Sequence, residues 1–177
     1  MGEGLAKSRK IVVIGAGIIG SACAWQLARD GADVTLVEHS KEAGGVATAA
    51  SFSWINATFG NPRPYFDLRM QAIAGWHRLA TLIPDAGIRF AGGLFYELQG
   101  EALDEFVEEH SGWGYRLRIV RRQEIMTLEP MLADPPERAA LASDEAFVDA
   151  AAFARKLAAA PGIRFLPGTH GVRLAVS

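Results

Sequence analysis

A single cysteine, Cys23, occurs in a chain of 177 residues, so no intramolecular disulfide can form and a reducing compartment is the simplest home. Cys23 falls inside a helical pattern, where a small apolar side chain is expected to be buried rather than redox-active. Histidine is also scarce. His39, His77, His110 and His170 are scattered, and none has a His or Cys at an i+4 or CxxC-like spacing, so no metal site is expected. There is no G-x-S-x-G elbow and no Ser/His/Asp set, so no catalytic side chain is identified. Neither charge sign dominates: 18 Lys and Arg stand against 20 Asp and Glu, with no basic cluster longer than Arg121 and Arg122, which excludes an electrostatic footprint for nucleic acid. No apolar run reaches the roughly 18 residues of a membrane span. The N-terminal "MGEGLAKSRK" has no apolar core of a secretory signal, so a cytoplasmic location is expected. Difficult chemistry in such a chain falls to a bound cofactor.

The most informative stretch is "IVVIGAGIIGSACAWQLARDGADVTLVEHS", from Ile11 to Ser40. Four β-formers, Ile11 to Ile14, lead into Gly15, Gly17 and Gly20; an Ala-rich helical stretch runs to Arg29 and Asp30, and Gly31 can cap it. A second apolar run, Val34 to Val37, ends in Glu38, 18 residues beyond Gly20 and 23 beyond Gly15. Strand, glycine turn, helix, strand and acid at this spacing form the dinucleotide-binding fingerprint. Gly15 permits the sharp turn, Gly17 keeps side chains away from a pyrophosphate, and Gly20 lets helix and strand approach closely. The helix N-terminus offers unpaired N–H groups to the phosphates. Glu38 can accept from both hydroxyls of an adenosine ribose and would repel a 2′-phosphate, which disfavours NADP. The fingerprint alone leaves FAD and NAD open.

Beyond Glu38, "HSKEAGGVATAASFSWINATFGNPRP" is rich in small and hydroxyl residues, yet Phe52, Trp54, Ile55 and Phe59 are too apolar for a surface loop, so the segment is expected to be buried. A helix is expected over about Tyr65 to Ile83, with Tyr65, Leu68, Ala72, Trp76, Leu79 and Ile83 as its apolar stripe, stopped by Pro84. "IRFAGGLFYEL" reads as strand interrupted by Gly92 and Gly93, with Leu94, Tyr96 and Leu98 on one face. Leu103, Phe106, Val107 and His110 mark a further helix with His110 at its solvated end. "YRLRIV" suggests a strand, "RRQEIMTLEP" a short helix, "MLADPPERA" a loop, and Ala150 to Ala160 a helix. "IRFLPG" and "VRLAV" then suggest two more strands.

Taken together, these segments resemble the FAD-dependent oxidoreductases of the D-amino acid oxidase family, which includes glycine oxidase, sarcosine oxidase and the D-amino acid dehydrogenases. The resemblance rests on "VVIGAGIIGSACAWQLARDGADVTLVE", "GGVATAASFSWINA", "LRMQAIAGWHRL", "GGLFYE" and "LEPML…AFVDAAAFARKL…GIRFLPGTHGVRLAV", in the order of that family's first half. It implies an α/β, Rossmann-like FAD-binding βαβ domain with part of an α+β substrate domain. The expected division is 1–85 for the FAD-binding segment and flavin-bed loop, 86–147 for a partial substrate domain, and 148–177 for a return to the first. It also implies FAD as cofactor, with Gly15, Gly17, Ile18, Ile19, Gly20, Glu38 and His39 at its adenosine and phosphate end. Ala47 and Thr48 would lie at the pyrophosphate and ribityl region, and Phe52, Ser53 and Trp54 near the isoalloxazine. Val172, on the late strand, would meet adenine through its backbone. Ile55 stands where some members carry a flavin-attaching His, so covalent flavin is not expected.

Family members are about twice this long, and the chain resembles their N-terminal half. The expected activity is oxidation of a C–N bond in an amino acid or secondary amine by hydride transfer to flavin. The expected partners are that small substrate and either a C-terminal half or a second copy of the chain. Two other functions stay open: a catalytically silent FAD-binding half or assembly subunit, and an NAD-dependent dehydrogenase. The "GGVATAASFSWINA" segment speaks against the last, since a nicotinamide domain needs no flavin bed there.

Overall fold

In the computed structural model, residues 9–57, 61–173 and 175 are described. In chain order the elements are β1 (Lys10–Ile14), α1 (Ile18–Arg29), β2 (Asp33–Val37), α2 (Val46–Ala49), β3 (Trp54–Ile55), α3 (Arg63–Leu82), β4 (Gly93–Phe95), α4 (Glu101–Gly112), β5 (Leu117–Arg121), α5 (Arg122–Leu128), β6 (Arg138–Ala142), β7 (Ala146–Phe147), α6 (Ala150–Ala158) and β8 (Ile163–Leu166). They fall into two units, one of Met1–Ser53 with Asp149–Ser177 and the other of Trp54–Val148. Helix α3 belongs to the second unit, in which it buries Phe66 and Ile73.

The first unit is built on a three-stranded parallel sheet in the order β1-β2-β8. Ile11 pairs with Val34 and Leu36 with Phe165, so the two apolar runs read from the sequence lie side by side. Parallel strands need a crossover, and α1 supplies it between β1 and β2. One sheet face packs on α1 and α6 through Ala16, Ala24, Val34, Leu36, Ala43 and Ala158. On the opposite face Val12 and Ile14 are 61% and 67% exposed. Gly31, at φ +87°, follows the C-cap Asp30 and ends α1 as anticipated. Asp149 is the N-cap of α6, and its Oδ1 accepts the Ala152 N–H at 2.8 Å.

The second unit holds an antiparallel sheet in the order β4-β6-β5 and the short pair β3-β7. Helix α4 closes one cluster, in which Phe95, Leu103, Phe106 and Ala140 pack together; Val120, Ile125 and Ala139 form another with α5. The central strand β6, "RAALA", was not anticipated, because alanine carries no β signal; its small side chains fit where both neighbours crowd it.

Several expectations are corrected. Cys23 is exposed, because Ser21, Ala24, Leu27 and Ala28 form the packed face of α1 and residue 23 falls off it. His110 is buried, not solvated: its Nδ1 lies 2.9 Å from the Phe106 carbonyl, and its ring packs against Phe66, Phe106 and Trp113. Helix α3 exists, but its inner face is shifted by one residue, burying Phe66 and Ile73 while Tyr65, Leu68 and Ala72 are exposed; Ile83, its C-cap, is buried as expected. β4 ends at Phe95, leaving Tyr96 exposed. The last strand ends at Leu166, and Val172 and Arg173 form no strand; Leu174 and Val176 lie outside the described residues. Of the expected buried loop, Ile55 is buried, Phe52 is 84% exposed, and Phe59 lies outside the described residues.

Asp149 caps a helix that packs directly on α1. Asp149→Ala should therefore cost about 1 kcal/mol, the usual worth of an N-cap acceptor. An unchanged urea midpoint in an otherwise folded variant would contradict the cap.

Candidate functional site

Three glycines shape the turn between β1 and α1. Gly15 has φ +94°, a left-handed conformation that disfavours other residues, and its N–H is bonded to the Val37 carbonyl at 2.8 Å. Gly17 is the N-cap of α1, with no side-chain cap. A Cβ on Gly20 would collide with the Gly15 carbonyl oxygen, so this glycine permits the close approach of helix and turn. The N–H groups of Gly17, Ile19 and Gly20 have no acceptor among the described residues. They sit at the N-terminal end of a 12-residue helix, where backbone dipoles favour an anion. Ile18 differs, since its N–H donates to Thr48 Oγ1 at 3.1 Å. Ile19 is 78% exposed.

Glu38 follows β2 directly beside this turn. Its Oε2 accepts the Ala16 N–H at 2.6 Å, and its Oε1 accepts the Ser40 N–H at 2.8 Å. These bonds hold the carboxyl below its ordinary pKa of 4.5: the Ser40 N–H contributes most, partial burial opposes it, and the Ala16 N–H, the Ser40 side chain and His39 add to the lowering. A carboxylate offers about four lone-pair directions, so each oxygen keeps capacity for a further donor such as a ribose hydroxyl.

The remaining expected residues divide. His39 and His170 meet edge to face, with their Nδ1 atoms 2.9 Å apart, which brings the 170s segment beside Glu38. Thr169 N–H donates to the Glu38 carbonyl at 2.8 Å. Val172 is 46% exposed in irregular chain. Thr48 is buried under the glycine turn, where a Cβ on Gly17 would come 3.2 Å from its Oγ1, while neighbouring Ala47 is exposed. Phe52 and Ser53 end the first unit, and Ser53 adopts φ +58°, a strained conformation for a non-glycine residue. Its N–H is held by Ser51 Oγ at 3.0 Å.

Trp54 begins the second unit, and the reading of the sequence missed what holds it. Its indole Nε1–H donates at 2.6 Å to Oε2 of Glu145, a fully buried carboxylate in the turn before β7. Tyr115 OH donates to the other oxygen of Glu145 and accepts the Ala57 N–H at 3.2 Å. Nothing in "LASDEAFVD" singles out Glu145, since an acid in a polar turn normally faces water.

The family model described as FAD dependent oxidoreductase (DAO) matches residues 10–176, and the chain belongs to that family. Glycine oxidase from Geobacillus kaustophilus superposes with a TM-score of 0.76 at 22% identity, over 91% of this chain and 47% of its own. L-proline dehydrogenase from P. horikoshii gives 0.69 at 23% identity, over 93% and 45%. The L-alpha-glycerophosphate oxidase of Mycoplasma pneumoniae, solved with FAD bound, gives 0.73 at 16% identity, over 92% and 45%. The chain thus spans about half the length of these structures, and at such identities they establish its fold: an α/β, Rossmann-like unit with part of an α+β unit. No curated relative matches the chain in sequence. FAD is the cofactor of the family, and the glycine turn with three N–H groups that have no acceptor among the described residues, beside a carboxylate with spare lone pairs, suits its diphosphate and ribose. No helix among the described residues is long and apolar enough to cross a membrane.

A carboxyl whose folded pKa is lowered stabilises the fold fully above its unfolded value, and that contribution is lost as pH falls through the folded value. The stability advantage of the parent chain over Glu38→Gln should therefore shrink as pH is lowered below about 4.5. Urea titrations of both chains between about pH 7 and about pH 3 check this. An advantage that grows on acidification would contradict the bonding of Glu38.

Proposed function

We propose that the unit of Met1–Ser53 with Asp149–Ser177 holds the adenosine, ribose and diphosphate of FAD, and that the protein serves oxidation of a C–N bond in a small amino acid or secondary amine. The observation that carries this reading is the placement of Glu38 against the N-terminal turn of α1, where Gly17, Ile19 and Gly20 have N–H groups left over. In this reading Gly15 shapes the turn, Gly17, Ile18, Ile19 and Gly20 line the diphosphate, and Glu38 accepts from the ribose. His39 and Val172 flank the adenine, Ala47 and Thr48 follow the ribityl chain, and Phe52, Ser53 and Trp54 meet the isoalloxazine. The unit Trp54–Val148 contributes part of the substrate side.

FAD, when bound, would supply the acceptor for the hydride leaving the substrate Cα–H. The residues of this chain orient it: the N–H groups neutralise phosphate charge, and Glu38 fixes the adenosine end by charge-assisted hydrogen bonds. The substrate class is supported by relatives whose names are glycine oxidase and L-proline dehydrogenase. A nicotinamide cofactor is disfavoured by the family assignment.

Two outcomes test the proposal. Isothermal titration should give FAD binding tighter than NAD or NADP, and Glu38→Arg should weaken it by roughly 2–4 kcal/mol through loss of charge-assisted bonds. Micromolar NAD binding without FAD binding would refute the cofactor assignment. Turnover requires a substrate held in near-attack geometry, and the relatives are about twice as long as this chain. The 177 residues alone are therefore expected to show no oxidation of glycine, sarcosine, proline or D-amino acids in a peroxide or dye-reduction assay, with activity appearing when the other half of the relatives' length is supplied in cis or in trans. Amine-dependent turnover by this chain with stoichiometric FAD would contradict that division.

A further inference from the structure

We infer that Glu145 is the positioning residue of Trp54: its buried carboxylate holds the indole in one orientation, and through it sets how the ring meets the flavin. The inference rests on the proposed flavin-side role of Trp54, and its hydrogen-bond basis is independent of that role.

Glu145 is 0% exposed, and both of its oxygens accept, one from Trp54 Nε1–H at 2.6 Å and one from Tyr115 OH. Trp Nε1–H is only ever a donor, so Oε2 must offer a lone pair there. The Tyr115 hydroxyl accepts the Ala57 N–H at 3.2 Å and donates its own proton to Oε1. Two side-chain donors thus satisfy both oxygens of a buried carboxyl group, which is how such a polar group becomes tolerable in the interior. The backbone makes room for it: a Cβ on Gly93 would collide with Glu145 Oε2, so β4 accepts only glycine opposite the carboxylate. Gly92 N–H also donates to the Glu145 carbonyl at 3.0 Å, and β7 beginning one residue later pairs with β3, which carries Trp54.

A buried indole N–H takes a hydrogen-bond partner in most folds; what sets Trp54 apart is that the rest of its ring is not buried. Trp54 is 38% exposed, so its nitrogen edge is tied into the fold while part of the ring faces outward. It directly follows the strained Ser53 and the exposed Phe52. A buried anchor within the second unit fixes a partly exposed aromatic ring, which is what a surface for a flat ligand requires.

The first measurement is hydrogen exchange of the indole N–H groups of the 177-residue chain by NMR, with the Trp54 resonance assigned by its loss in Trp54→Phe. It should lie downfield and exchange slowly despite the exposure of the ring. Glu145→Met should move it upfield and speed its exchange at least about tenfold, Glu145→Gln should partly restore it, and Tyr115→Phe should retain it. Unchanged resonances of Trp25, Trp76 and Trp113 report that each variant is folded. If Glu145→Met does not fold, rapid Trp54 exchange in the parent chain still overturns the inference, and slow exchange retained by Tyr115→Phe supports it. The second measurement compares FAD with ADP, which lacks the flavin. Trp54→Phe and Glu145→Met should each weaken FAD about three- to tenfold, leave ADP unchanged, and not add when combined. If Trp54→Phe leaves FAD affinity unchanged, the flavin-side reading of Trp54 fails and takes the inference with it. If Trp54→Phe weakens FAD but Trp54 exchanges rapidly or is indifferent to Glu145→Met, only the role of Glu145 is overturned.

Discussion

The bond from Ala16 N–H to Glu38 Oε2 joins the end of β2 to the turn that opens α1. It does locally what the parallel sheet does over a longer range, holding β1 and β2 in register at the edge where their chains leave the sheet. The Gly15 N–H to Val37 carbonyl bond reinforces it from the backbone side. With one donor of the turn consumed by Glu38 and another by Thr48, the donors of Gly17, Ile19 and Gly20 remain, and they are clustered at the positive end of a helix dipole. Which donors of the turn are left for an anion is thus decided by which N–H groups the fold itself has satisfied.

The carboxylates of Glu38 and Glu145 show two uses of the same group. Glu38 is partly exposed and accepts from backbone N–H groups, which lowers its pKa and leaves lone pairs directed outward. Glu145 is fully buried and accepts from side chains of β3 and the segment before β5, so its lone pairs are spent on internal order. Two hydrogen bonds to one buried side chain thereby tie β3, the turn before β7 and Tyr115 together inside the second unit.

Much of the first unit was legible because its signals are local. The strand of Ile11 to Ile14, the glycine spacing, the Gly31 stop and the acid after Val37 each depend on a few adjacent residues, and each lies where it was expected. The second unit was less legible because its organisation depends on long-range pairing. "RAALA" becomes a central strand through the neighbours on both sides, against its own propensity. Phe66 rather than Tyr65 faces inward on α3 because His110, Trp113 and Tyr115 surround it, which no periodicity of α3 alone can reveal. His110 and Glu145 were misjudged or missed for the same reason: a polar residue declares itself buried only when its distant partners are known.

The central claim is that the leftover N–H groups of the α1 turn receive the diphosphate of FAD. Amide chemical-shift mapping during an FAD titration tests it most directly. The largest shifts are predicted at Gly17, Ile19 and Gly20, with changes at Ala16 and Ser40 as Glu38 takes up the ribose. Saturable FAD binding that leaves these amides unmoved would contradict the account.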